Sequence, residues 1–182
     1  MNMLNDKGMT LIEALIAIVI LSVGILVVGA MQTNSVRANA TAIARSQAHA
    51  VASSFIEVLQ QVPFDSIILL DSDGNGVAGL DDGSPNGGVP SPDPTQADYA
   101  VQSSDFQSGG VFAGVFGSVY GISGNTLTDG RGWQYQVFWN VADLVTAAGG
   151  TTKVVRMFVY WTSPMGRNSM VLTTMKYQNI AL

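Results

Sequence analysis

A single carboxylate stands at the entrance of an apolar run. In "DKGMTLIEALIAIVILSVGIL", residues 6–26, Glu13 is followed from Ala14 to Met31 by eighteen residues without a charge. At about 1.5 Å per residue, a helix of that length covers most of a bilayer core of about 30 Å. An unpaired carboxylate held in hydrocarbon costs roughly 3 kcal/mol or more. The run therefore ties the chain to a membrane, or to an assembly that resembles one, and Glu13 needs a partner or an outlet to water there.

Composition narrows the remainder. The 182 residues suit one domain and one membrane segment. Apolar residues make up 47 % and charged residues 12 %, unevenly spread. The N-terminal third is rich in Ala, Ile, Val and Leu, and the middle in Gly, Asp, Ser and Pro. A net charge of −5 with eight scattered Lys and Arg residues argues against nucleic-acid binding, which needs clustered cations. The absence of cysteine excludes disulfides, thiolate metal sites, Cys nucleophiles and attached c-type haem. Any staple in a loop-rich region must then come from packing or a metal.

Three readings compete for residues 1–40. A plain transmembrane anchor leaves Glu13 unexplained. A secretory signal cut near Ala38-Asn39-Ala40 has too long an apolar region and too little positive charge before it. The third reading is carried by Lys7-Gly8-Met9-Thr10-Leu11-Ile12-Glu13 and the apolar run behind it. This stretch resembles the leader junction of type IV prepilins and of type II secretion pseudopilins. The resemblance implies cleavage after Gly8 by a prepilin peptidase and methylation of the new amine on Met9. Met9 stands where the family usually has phenylalanine, a large apolar residue in either case. The resemblance also supplies a partner for Glu13, the N-terminal amine of a neighbouring subunit in a filament, so that assembly neutralises a charge that is costly alone. Snorkelling of Glu13 to the headgroups before assembly is compatible with this.

Further implications follow from the same resemblance. The fold is expected to be α+β, a type IV pilin fold with one long N-terminal helix packed on a C-terminal antiparallel sheet. Expected partners are other pilin and minor pilin subunits, the prepilin peptidase and inner-membrane lipid. The expected location is the inner membrane with a periplasmic C-terminal domain, then the pilus at the cell surface. "LSVGILVVGAMQ" and "EVLQQVPFD" are most similar to the PilV family of minor pilins. A type II pseudopilin and a membrane-anchored adhesion or ligand-binding module are the alternatives.

The expected organisation is a leader at 1–8, a helix over 9–62 with 9–31 in membrane or filament core, an irregular Gly/Asp-rich region over 63–132, and a sheet over 133–182. Beyond Met31, Val36, Ala40, Ile43, Val51, Phe55, Val58 and Val62 recur at helical spacing and predict one packed face. Pro63 predicts the stop. His49, the one histidine, has no acidic neighbour in sequence and reads as solvated or interfacial.

"DSDGNGVAGLDD", residues 71–82, has the spacing of a twelve-residue EF-hand loop with Asp at its last position. Calcium takes six to eight oxygens, and alternate residues of a tight loop aim them inward. On that template Asp71, Asp73 and Asn75 give side-chain oxygens, Val77 its carbonyl, Gly79 a water position and Asp82 the distal carboxylate, with Asp81 in reserve. Gly76 permits the turn. The competing reading is a solvated acidic turn, since Asp, Asn and Gly form turns without any metal. The flanks, "SIILL" and Gly83-Ser84-Pro85, do not suit a helix–loop–helix.

"GWQYQVFWNV", "KVVRMFVYW" and "SMVLTTMKYQ" predict three strands, the last two joined as a hairpin through "TSPMGRN". Trp133, Tyr135, Val137, Trp139 and Val141 alternate with Gln134, Gln136 and Asn140, so one face should pack and one be wet. No catalytic constellation is present: one His, no Cys, no nucleophile elbow and no phosphate-cradling loop. A structural protein, not an enzyme, is expected.

Overall fold

The computed structural model describes residues 10–82, 93, 95–113, 120–145, 150–163 and 166–178. The expected α+β architecture is found: a long helix, α1 (Leu11–Gln61), precedes an antiparallel sheet. The helix ends within two residues of Pro63, as the loss of helical freedom before proline requires. The chain divides after Ala40 into two units.

In the first unit every residue of α1 from Leu15 to Asn39 is exposed. The helix start is closed by a capping box. The Thr10 main-chain N–H and hydroxyl donate to the Glu13 carboxylate at 2.9 and 3.1 Å, and the Glu13 N–H donates to the Thr10 hydroxyl at 3.4 Å.

In the second unit the sheet has the order β2 (Tyr120–Ser123), β3 (Thr126–Asp129), β4 (Gln134–Val145), β5 (Thr151–Ser163), β6 (Gly166–Tyr177), with β1 (Tyr99–Ala100) also paired to β4. β5 and β6 form the expected hairpin, in register from Thr152 opposite Tyr177 to Ser163 opposite Gly166. Residues 63–132, expected to be irregular, also contribute β1 and the β2–β3 hairpin, whose turn is Gly124-Asn125.

The packed face of α1 agrees with the expected one at Val51 and Phe55, and with Val58 and Val62 against its margin, but not at Val36 and Ile43. Ala44, Ala48, Val51, Ala52, Phe55 and Leu59 are buried against the sheet, while Val36 and Ile43 are exposed and Val58 and Val62 only flank the core. The alanines at 44, 48 and 52 let the sheet approach the helix closely, leaving room for large side chains opposite. Phe55 meets Phe112 edge-on at 4.7 Å, and Trp139 is fully buried with its indole N–H donating to the Ile68 carbonyl at 2.8 Å. Tyr135 and Trp139 of β4 are thus core, as their alternation implies.

The other face of the sheet is not wet throughout, contrary to expectation. Phe138, Phe158 and Tyr160 stack there in a second cluster beneath Ala97 and Ala100, and Asn140 is buried beside them in sequence. Burial pushes the Tyr160 hydroxyl up to about 12. Tyr135 and Tyr99 are raised further, chiefly by burial.

Candidate functional site

Two features are candidates for function. The first is the apolar start of α1. It is long and apolar enough to cross a membrane. Leu11, Ile12, Leu15, Ile16, Val19, Ile20, Val23 and Leu26 are all more than half exposed in the isolated chain. Glycines 24 and 29 open on to empty space, so a neighbour can approach the backbone there. Glu13 is already engaged by Thr10, so its cap forms within one chain. Gly8 and Met9, the expected processing residues, lie outside the described residues.

The second feature is the acidic loop. Gly74 and Gly76 take left-handed φ values of 72° and 61°, which a side chain disfavours. These turns bring main-chain N–H groups on to Asp71: Gly74 donates to one carboxylate oxygen and Gly76 to the other, both at 2.8 Å. Asp73 accepts from the Asn75 main-chain N–H at 3.2 Å and from its amide at 2.5 Å, and that amide also donates to Asp82 at 2.9 Å. Residues Gly76–Asp81 then form a short 3-10 helix that contains Val77 and Gly79. The Asn75 side chain lies over Gly79, where an added Cβ would fall 1.6 Å from its Oδ1.

Asp98, which sequence spacing does not single out, completes the group. Carboxylate oxygens of Asp71, Asp73 and Asp98 lie within 4.8 Å of one another. Asp98 also fastens the loop to the sheet. Its carboxylate accepts from the Ser72 N–H at 2.6 Å, from the Ser72 hydroxyl at 2.7 Å and from the Val141 N–H at 2.8 Å. Buried Asn140 accepts from the Asp98 N–H at 3.0 Å and donates to the carbonyls of Leu80 and Asp82 at 3.2 and 2.9 Å. Asp81, the reserve ligand, pairs instead with Arg156 at 2.7 Å. Asp71 and Asp73 are therefore brought together as expected. Asp82 is held at the Asn75 amide, and no contact joins Val77 to the carboxylates among the described residues. No local sequence signal marks Asp98, because only the β1–β4 pairing carries it to the loop.

His49 lies on the exposed side of α1, 3.3 Å from the Ser53 hydroxyl, which agrees with a solvated role.

Comparison with known proteins gives one positive result. Residues 3–29 match the family described as the prokaryotic N-terminal methylation motif. No curated protein and no solved structure matches the chain. The matched residues span Gly8, Met9, Glu13 and the first turns of the exposed apolar helix. They make the start of the chain similar to that of type IV pilins and pseudopilins, a likeness that points to a structural role.

Proposed function

We propose that the protein is a minor structural subunit of a type IV pilus, of the PilV kind. A prepilin peptidase cuts between Gly8 and Met9 and methylates the new amine. The mature chain waits in the inner membrane with its C-terminal unit in the periplasm. It then enters the filament, or primes its assembly, through α1. The observation that carries this reading is the exposed apolar helix with Glu13 as its one charge before Arg37, its first turns lying within the methylation motif matched at residues 3–29. Other pilin subunits would cover that surface in place of lipid.

A type II secretion pseudopilin has the same anchor physics. Deletion separates the two: loss of surface pili with secretion intact supports the pilus subunit, and loss of secretion with pili intact supports the pseudopilin.

We propose further that the loop over residues 71–82 holds calcium. The convergence of Asp71, Asp73 and Asp98 favours this, because three exposed or half-buried carboxylates within 4.8 Å repel one another without a cation. Melting with and without a chelator is the test.

A further inference from the structure

The sheet ends in an edge whose middle, between Arg167 and Lys176, lacks the usual protection. β6 is twelve residues long, carries no proline, and runs opposite β5 without a bulge. Among the described residues no strand pairs its outer side. Long unpaired edges are templates for a further strand, and proteins commonly blunt them with proline, bulges or charge.

The direction of the free groups follows from one hydrogen bond. The Gln178 N–H donates to the carbonyl of Thr151, the residue opposite it in the hairpin register. Opposed residues that bond each other alternate with pairs that do not. Even-numbered residues of β6 therefore bond β5, and odd-numbered ones turn their N–H and C=O outward. Met175 illustrates this: its carbonyl accepts from the Gln60 amide at 3.2 Å, from outside the sheet. The side chains of the odd-numbered residues Ser169, Val171, Thr173, Met175 and Tyr177 are all exposed, Val171 and Met175 by half.

A groove of about 640 Å³ runs where β6 meets α1, lined by Ala42, Arg45, Ser46, His49, Ala50 and Met170. Its wall carries a guanidinium and an imidazole and no carboxylate.

We propose that the outer edge of β6 takes an extended segment of another protein as an added strand, and that this segment carries a carboxylate directed at Arg45. Main-chain bonds to Ser169, Val171 and Thr173 would hold it, and its alternate side chains would lie against Val171 and Met175 on one face and the Arg45 groove on the other. Charge selects the occupant. A second copy offering its own β6 would bring the basic Arg167 and no acidic residue to that groove. An acidic, alternating segment complements it.

The test uses the full chain in detergent and two labelled synthetic nonapeptides that alternate valine with either glutamate or lysine. Fluorescence anisotropy is expected to show the glutamate peptide binding, with the lysine peptide at least about tenfold weaker. Thr173→Pro removes one outward N–H and leaves the β5 ladder intact. It and Arg45→Glu should each weaken the glutamate peptide about tenfold or more, with the melting temperature unchanged. If Thr173→Pro does not fold, Val171→Lys and Arg45→Glu carry the test. Equal binding of the two peptides, binding indifferent to every variant, or no binding overturns the proposal. So does self-association through β6 that Val171→Lys abolishes, which would make a second copy the occupant.

Discussion

The Nζ of Lys176, on β6, donates to the main-chain carbonyl of Leu59 across 2.9 Å, and also to the carbonyls of Gln60, at 2.8 Å, and Val62. A strand side chain thereby closes the C-terminal end of α1, whose last carbonyls have no partners within the helix. The ammonium also answers the negative end of the helix dipole. The arrangement explains why a lysine is tolerated at only 9 % exposure. Burial lowers its pKa.

Lys176→Met keeps the length and apolar stem and removes all of these bonds. We predict a loss of about 1–3 kcal/mol, since buried carbonyls lose a charged donor. Thermal or urea unfolding of the extracted chain measures it. A loss within error of zero would mean that water replaces the ammonium without cost.

A second prediction concerns alkaline pH. Burial raises the hydroxyls of Tyr99, Tyr135 and Tyr160 above the ordinary value of 10.0, Tyr160 to about 12. In the unfolded chain these groups ionise first, so the unfolded state binds fewer protons above that value. Stability is full below about pH 10 and falls as pH rises toward 12. Urea midpoints collected across that range should decline, and Tyr160→Phe should flatten the decline.

The acidic loop yields a third. Calcium should raise the melting temperature, and Asp73→Ala should cut that increment while changing the melt in chelator little, because Asp73 bonds only Asn75. Asp71→Ala should lose about 1 kcal/mol even in chelator, since two main-chain donors lose their acceptor. Equal shifts for Asp73→Ala with and without calcium would remove the metal and leave a solvated turn.

Glu13 yields a fourth. Glutamine serves in a capping box as glutamate does, so Glu13→Gln keeps the bonds from Thr10 and discards only the charge. Processing and insertion should be normal, and recovery in sheared filaments should fall as far as for Glu13→Ala. Normal recovery of Glu13→Gln would assign the residue to capping alone and refute pairing with a neighbouring amine.

How much of this was legible in the sequence depends on how local the signal is. Pro63 marks the helix end and alternation in "QYQVFWNV" marks β4, because each rule acts within a few residues. Periodicity marks Val51 and Phe55 on the packed face of α1 but not Ala44, Ala48 and Ala52, because large residues such as Val36 and Ile43 weigh more in a periodicity than alanines, and the sheet packs on the alanines. The β2–β3 hairpin had a signal in Gly124-Asn125 between short alternating runs, submerged in a glycine-rich stretch. The outer-face stack of Phe138, Phe158 and Tyr160 depends on what segment 97–100 covers, and Asp98 reaches the loop only through long-range pairing. Neither is encoded in neighbouring residues.

The central claim is tested most directly by the intact mass of the membrane-extracted protein. A chain beginning at Met9 with one added methyl group is the predicted result. A chain beginning at Met1, or cut after Ala40, would contradict processing at Gly8 and with it the assembly role of Glu13.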